Sequence, residues 1–225
     1  MFISESMTRK LVTISQTTAI VEARDLMKSN NIRHLPVVDA TGRLVGMVTD
    51  RDIRSAIPRE RYHQPDVGGE MDPFTGITAG DIMSRDLIVV EPSYTIQDAL
   101  LLFQKNMVGA LPVVDAEYRL NGIVSVRDLM RTFINVLGIG EPGTLLGIVA
   151  EEKIGQMKKI VDAITGENIS FGSILVAKHW EKDKRVVFPY LLTLNVSRVK
   201  KKLVDMGYTL LDPMAWVIEK LPEND

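Results

Sequence analysis

The chain has 225 residues, of which 45% are hydrophobic and 25% charged, and these values exclude a disordered or low-complexity protein. The formal net charge is −2 and neither half of the chain is basic, so the composition argues against a nucleic-acid partner. Cysteine is absent, which excludes disulfides and thiolate metal sites and fits a cytoplasmic protein. No apolar run approaches the ~18 residues of a transmembrane helix, and no signal-peptide pattern opens the chain, so we expect no membrane partner.

The chain contains an internal repeat with an offset of 76 positions. Leu35–Asp39 recurs as Leu111–Asp115, and Arg51-Asp52 recurs as Arg127-Asp128, with no gap between these matches. A fixed period marks repeated structural units, so the sequence predicts two copies of one unit.

Each copy predicts the order β-α-β-β-α. A β-rich run (residues 11–14 and 87–90) opens the copy, and an amphipathic helix with apolar residues at helical spacing follows. Two strands come next, the first starting at Pro36 or Pro112, and a second helix ends the copy.

The segment after residue 143 does not match the repeat. Its pattern predicts β-α-β-β-α-β, the order of a ferredoxin-like unit, and the whole chain is therefore expected to be α+β. Pro189 inside a predicted strand indicates an edge or a bulge. The predicted organisation is a first unit over residues 1–62, a linker over 63–80, a second unit over 81–136, a linker over 137–143 and a third domain over 144–225.

The sharpest chemical feature is duplicated: a strand leads into Thr/Ser-x-Arg-Asp at the start of a helix. One interpretation is helix capping, because a hydroxyl there accepts a hydrogen bond from a backbone N–H of the helix and the acidic side chain accepts one from the backbone N–H of the hydroxyl residue. The other is nucleotide binding, because a helix start receives phosphate, a carboxylate can accept from a ribose diol, and arginine pairs with phosphate. The residues concerned are Thr49, Arg51 and Asp52 in the first copy and Ser125, Arg127 and Asp128 in the second.

These motifs, with His34–Asp39 and Ala110–Asp115, resemble those of CBS (cystathionine-β-synthase-type) domains in a tandem pair, or Bateman module. The resemblance implies two units in a pseudo-two-fold arrangement with two clefts for adenine-containing ligands. It also implies that the motif aspartate holds the ribose, that the hydroxyl and nearby basic groups meet phosphate, and that the base lies against the first strand and the segment around the proline. The residues implied for the base are Thr13, Ile14, Arg33, His34 and Leu35 in one cleft and Val89, Val90, Gly109, Ala110 and Leu111 in the other, and Pro36 and Pro112 are also implied to bind the nucleotide.

The third segment is similar to an ACT-type regulatory domain. The matching residues are Glu152–Gly155 after the first strand and Gly166–Ile169 after the first helix. The resemblance implies a small-ligand loop of Lys153, Ile154, Gly155 and Asn168, although Ile154 stands where proline is commoner in the family. The alternative role is assembly through the sheet. The order CBS–CBS–ACT resembles the bacterial acetoin-utilisation regulatory proteins.

The sequence therefore indicates a non-enzymatic regulatory protein that requires no cofactor or metal and relays nucleotide occupancy to the third domain. Arg33, Arg51 and Arg127 favour AMP, ADP or ATP over S-adenosylmethionine. Because Arg33-His34 is polar where Gly109-Ala110 is small, we expect unequal clefts, and the family resemblance implies a homodimer. Two alternatives stay open: a nucleotide-processing enzyme that uses the motif aspartates as bases, and a structural dimerisation module with empty clefts.

Overall fold

The computed structural model describes residues 1–56, 76–179 and 181–211. It divides into two compact units, Met1–Met130 and Arg131–Asp225, and each is described by itself below. Every helix within the described ranges is too short or too polar to cross a membrane.

The first unit contains the two copies of the repeat, and each copy has the same five elements. In the first copy they are α1 (Ile3–Ser6), α2 (Ile20–Asn30), β1 (His34–Val38), β2 (Leu44–Thr49) and α3 (Asp50–Ser55). In the second copy they are α4 (Ala79–Ile82), α5 (Ile96–Asn106), β3 (Ala110–Val114), β4 (Leu120–Ser125) and α6 (Val126–Leu137), which runs past the boundary between the units. The two strands of each copy form an antiparallel hairpin.

The opening strands predicted at residues 11–14 and 87–90 are wrong as strands. Within these runs, Ile14 and Val90 alone make backbone bridges, each parallel to the first strand of its own hairpin. The pairing stops at once in the first copy because a turn at Ser15–Thr18 follows.

The helices α1 and α4 were not predicted, and α4 corrects the predicted linker of residues 63–80. Thr78 precedes α4, and its N–H and hydroxyl donate to Asp81 Oδ2 at 2.8 and 2.7 Å. Ala79 is completely buried in the hydrophobic cluster of the first copy. The last residues of the expected linker are therefore part of the folded unit, and residues 63–75 of it lie outside the described ranges.

The two copies exchange their opening segments. The bridges between copies come in equivalent pairs, Phe2–Thr95 with Thr78–Ala19, and Thr8–Ile123 with Ser84–Met47. A further bridge joins Arg43 to Arg119, the equivalent residue of the other copy. Equivalent residues meet in this way where a two-fold axis passes between the copies. This is the pseudo-two-fold arrangement expected from the repeat.

A methionine from each opening segment covers a glycine in the hairpin of the other copy. A Cβ atom at Gly46 would lie 2.3 Å from Met83 Sδ, and one at Gly122 would lie 2.6 Å from Met7 Sδ. Both distances are far below van der Waals contact, so only glycine leaves room for the methionine as it is placed. The contact explains why methionine and glycine both recur with the 76-residue offset.

Over residues 131–179 and 181–211, the second unit has one five-stranded sheet and two helices besides the end of α6. Its elements are β5 (Thr144–Leu145), β6 (Gly147–Glu151), α7 (Gln156–Thr165), β7 (Phe171–Lys178), β8 (Lys184–Leu191), α8 (Ser197–Asp205) and β9 (Thr209–Leu211). The strands pair antiparallel in the order β7-β8-β6-β9, and β5 also pairs with β8. Buried side chains of both helices, including Ile160 and Leu203, share one core with Ile148 of the sheet. The elements from β6 to β9 follow the expected β-α-β-β-α-β order.

Pro189 lies inside the sheet, so its predicted place at an edge is wrong, while a register shift in the β7–β8 pairing opposite Tyr190 and Leu191 lies next to it, as the bulge alternative predicts. Pro189 belongs to β8, which pairs with β7 on one side and with β5 and β6 on the other. Pro189 has no N–H to donate to the residue opposite, which is Leu146, between β5 and β6. The hydrogen bond in the other direction is kept, since Leu146 N–H donates to Pro189 O at 3.0 Å. The sheet accommodates the proline by omitting one ladder bond.

Candidate functional site

A cavity of about 430 Å³ lies between the two copies of the repeat. The first copy supplies the end of β2 with the start of α3, together with the residues that lead into β1. The second copy supplies the chain before residue 89 and the residues that lead into β3. The main lining residues are Arg33, His34, Thr49–Asp52 and Arg54 from the first copy, and Asp86–Ile88 and Met107–Ala110 from the second.

Thr49 and Asp52 hold each other at the start of α3. The Thr49 N–H and hydroxyl donate to Asp52 Oδ2 at 2.8 and 2.6 Å, and Asp52 N–H donates to Thr49 Oγ1 at 3.3 Å. The capping interpretation is therefore confirmed. Asp52 Oδ1 accepts no hydrogen bond from the described residues, so it is open to a ligand hydroxyl. The Thr49 hydroxyl proton is already donated to Asp52, which leaves this hydroxyl no proton for a phosphate.

Ser125 and Asp128 make the same exchange at the start of α6. The Ser125 N–H and hydroxyl donate to Asp128 Oδ2 at 2.9 and 2.6 Å, and Asp128 N–H donates to Ser125 Oγ at 3.2 Å. Asp128 is only 8% exposed, whereas Asp52 is half-buried. The second carboxylate is therefore less accessible than the first.

His34 is held between the two copies. A Cβ atom at Gly109 would lie 3.1 Å from His34 Nε2, so a side chain at that position would press on the imidazole. Burial lowers the pKa of His34 below its usual value, the charge of Arg33 lowers it further, and Asp52 opposes the change in part. His34 is consequently neutral at pH 7 and offers one donor and one acceptor to the cavity.

Three arginines of the described ranges line the cavity, and the side chains of two of them have no partner there. Arg54 is paired with Asp50 at 2.7 Å. The Arg33 and Arg51 side chains make no hydrogen bond or ion pair with the residues that the structure describes. A phosphate group is the partner that such guanidinium groups bind in two-point geometry.

Met107 is a cavity residue that sequence reasoning missed. It follows α5 in the left-handed backbone region (φ 53°), and its side chain is 93% exposed. Its equivalent in the first copy, Asn31, has φ 51°, and asparagine suits this conformation far better than methionine does. The offset of 76 would have revealed the anomaly, because it aligns a methionine with a helix-ending asparagine.

Residues predicted for two separate clefts meet at this one cavity. Those that line it are Arg33, His34, Thr49, Arg51, Asp52, Gly109, Ala110 and Pro112. The resemblance assigns the base-contacting residues to clefts copy by copy, whereas this cavity is lined by residues of both copies. Thr13 and Ile14 line a separate depression with Val38–Ala40, and Leu87 and Ile88 of the second copy lie near Thr49 instead.

Several predicted residues lie away from this cavity. Leu35 and Leu111 are completely buried and do not line it. Pro36 and Val90 are also buried, and Val89 does not line the cavity. Ser125, Arg127 and Asp128 stay together at the start of α6 as the second motif.

The small-ligand loop predicted in the second unit is not assembled. Gly155 precedes α7 and Asn168 follows it, so the ten-residue helix separates them by about 15 Å. Lys153 Nζ pairs with Glu151 at 2.7 Å, and Ile154 is completely exposed. No group of three or more histidine, aspartate or glutamate side chains among the described residues is placed to hold a metal ion.

Comparison with known proteins identifies the duplicated unit. The model of the CBS domain matches residues 3–59 and 79–135, which together exceed half of the chain. The chain belongs to the CBS domain family. An uncharacterised protein of Methanocaldococcus jannaschii, MJ1404, is 29% identical over 216 residues, covering 91% of this chain and 50% of that protein. This CBS protein thus spans half the length of that relative.

Solved structures of CBS proteins share the fold. The CBS domain pair of protein MJ0100, in complex with 5′-methylthioadenosine and S-adenosyl-L-methionine, is 27% identical with a TM-score of 0.50, covering 59% of this chain and 95% of that one. A Vibrio cholerae protein described as an acetoin utilization protein (AcuB) is 29% identical with a TM-score of 0.52, covering 63% of this chain and 98% of that one.

Proposed function

We propose that this CBS protein is a non-catalytic regulator that binds an adenine-containing ligand in the cavity between its two CBS units. The observation that carries the proposal is the meeting of the Thr49–Asp52 motif with the Met107–Ala110 segment of the other unit around one cavity. The similarity to the MJ0100 domain pair, which is complexed with two adenosine compounds, supports the ligand class.

The proposed ligand pose follows from the groups that remain available. Asp52 Oδ1 accepts from a ribose hydroxyl, since Oδ2 is already used within the capping exchange. Leu87, Ile88 and Met107 supply apolar surface for the base. The Thr49 hydroxyl donates its proton to Asp52 and cannot donate it to phosphate, so the arginines of the cavity bind the phosphate instead.

Within this class, we propose AMP, ADP or ATP rather than S-adenosylmethionine. Arg33 and Arg51 lack carboxylate partners among the described residues, and a phosphate can pair with them, whereas S-adenosylmethionine carries no phosphate. The neutral His34 beside them can donate to a phosphate oxygen or become protonated when one binds.

The regulatory part of the proposal concerns α6. This helix begins at the Ser125–Asp128 motif and ends at Leu137, whose carbonyl accepts from Ser173 Oγ of β7 at 2.8 Å. The helix that follows the second Ser-x-x-Asp motif thus continues into the second unit, which we propose to be an ACT-type domain. Occupancy changes the second unit only if the ligand binds two states of the protein with different affinity. We further propose a homodimer, since α6 exposes Val126 and Met130.

The test is ligand titration of an Asp52→Ala variant against an Asp98→Ala control. Asp98 makes the same capping exchange with Thr95, with hydroxyl-to-carboxylate distances of 2.6 Å in both, but it does not line the cavity. Both variants lose a cap worth about 1 kcal/mol of stability. Only Asp52→Ala loses a charged hydrogen bond to ligand, about 1.5–3 kcal/mol, or roughly ten- to 150-fold in affinity.

Calorimetry with AMP, ADP, ATP and S-adenosylmethionine in parallel covers the alternatives. Equal affinities of both variants and the parent would contradict the ribose assignment. If none of the four compounds binds, the protein is better described as a structural dimerisation module with empty clefts. Chemical change of the nucleotide during the titration, followed by chromatography, would favour the enzyme.

A further inference from the structure

A second cavity, of about 690 Å³, lies within the second unit. It opens where β6 ends and where β8 and β9 begin, beside the start of α7. The lining residues are Val149–Glu151, Gln156, Lys159, Lys184 and Met206–Thr209. None of the four residues of the predicted small-ligand loop belongs to this set.

The charge around this cavity is unbalanced. Lys184 Nζ pairs with Glu181 at 2.6 Å and Lys153 Nζ with Glu151 at 2.7 Å, whereas Lys159 has no ion pair with the described residues. The pKa of Glu151 is lowered, first by the hydrogen bond and charge of Lys153 and then by the charges of Lys184 and Lys159. Three ammonium groups therefore act on one carboxylate, and one positive charge remains without a partner.

Apart from the Glu151 carboxylate, which Lys153 pairs, the wall presents donors at Gln156 and at the start of α7. The Tyr208 hydroxyl donates to Gln156 Oε1 at 2.7 Å, which fixes the amide and leaves its NH₂ group as a donor. Burial raises the pKa of Tyr208, so this hydroxyl stays protonated. The first turn of α7 has neither a side-chain cap nor an acidic residue, so its backbone dipole adds to the positive potential. Met206 and the Tyr208 ring supply apolar surface.

We propose that this cavity binds a small carboxylate or phosphate anion, held by the Lys159 ammonium and the Gln156 amide with Lys184 beside them. The site lies entirely in the second unit and is separate from the nucleotide cavity. It gives the second unit a ligand of its own, and the proposal does not depend on the nucleotide function.

The experiment titrates the full-length protein with succinate and, separately, with inorganic phosphate at millimolar concentrations. Backbone amide NMR signals of residues 156–159 and 207–209 report on the cavity. Lys159→Gln is compared with Lys158→Gln, because Lys158 is the adjacent lysine on α7 but is neutralised by Asp162 at 2.5 Å and does not line the cavity.

We expect one probe to shift these signals in saturable fashion, with affinity at least about fivefold weaker in Lys159→Gln and unchanged in Lys158→Gln. The probe that binds more tightly identifies the anion class. Equal weakening in both variants would show non-specific attraction to the helix, and would overturn the proposal. So would the failure of both anions to move these signals in the parent.

Discussion

Replacing Met107 by asparagine should stabilise the CBS protein and at the same time weaken its ligand binding. Met107 occupies a left-handed backbone conformation, with φ 53°, which a long side chain adopts at a cost. Asparagine stands at the equivalent Asn31, with φ 51°. Met107 is 93% exposed, so packing within the protein does little to offset this cost, and its place in the cavity lining makes its thioether available to the base of the proposed ligand.

The two effects have opposite signs and similar size. Left-handed backbone costs an ordinary residue ~1–2 kcal/mol, of which asparagine relieves a part, so Met107→Asn should gain about 1 kcal/mol of unfolding free energy. Contact of the thioether with an aromatic base is worth ~0.3–1.5 kcal/mol, so affinity should fall roughly two- to tenfold.

Urea denaturation measures the first effect and isothermal calorimetry with the tightest adenine nucleotide measures the second. The reverse exchange, Asn31→Met, is the control for the backbone effect and should destabilise the protein by a similar amount. If Met107→Asn lowers stability while leaving affinity unchanged, the reasoning is wrong on both counts. Improved affinity would place the base elsewhere in the cavity.

Three other perturbations follow from the structure. The pKa of His34 is lowered in the folded protein, so the neutral imidazole stabilises the fold above the unfolded pKa near 6.5, and this stability is lost as the pH falls below it. In His34→Gln, the free energy of unfolding should therefore decrease less between pH 7.5 and pH 5.5 than it does in the parent, as denaturation curves at the two pH values would show. Gly122→Ala should lower the free energy of unfolding by ~1–3 kcal/mol, because the added methyl group overpacks against Met7. The same substitution should cost less stability in a Met7→Ala background, which a double-mutant cycle of thermal melting measures. A chain ending at Gly138, just after α6, should keep the parent's nucleotide affinity by calorimetry, because the cavity is lined by residues 33–112.

Much of the fold follows from patterns that act locally. The hairpins that begin at His34 and Ala110 are expected from β-branched runs bounded by turn residues, and the offset of 76 by itself indicates two equivalent units. The short helices α1 and α4 escape prediction because four residues show no helical periodicity. Their place is determined by burial of Ile3 and Ala79 and by bridges to the other copy, which are long-range interactions.

The chemistry of the site was predictable, but its assembly was not. Thr49-x-x-Asp52 identified both the helix cap and the carboxylate that faces the cavity. The sequence could not show that residues near Thr13 would lie away from it while Leu87 and Ile88 take their place. That outcome depends on how two copies face each other, and periodicity within one copy carries no such information.

The contact between the two copies also accounts for one difference between their sequences, the glycine at 109 where the first copy has Arg33. His34 lies against Gly109, which is equivalent to Arg33, so the two central dipeptides contact each other across the axis. Had the second copy kept an arginine at 109, its Cβ atom would lie 3.1 Å from His34 Nε2, and its charge would add to that of Arg33 beside a half-buried imidazole. Space and charge therefore both favour glycine at position 109, because a side chain there would displace His34 by a few tenths of an ångström and a second arginine would add positive charge beside it. The cavity beside Asp52 thus takes Arg33 and His34 from the first copy and the room left by Gly109 from the second, and unequal ligand binding by two clefts stays a prediction.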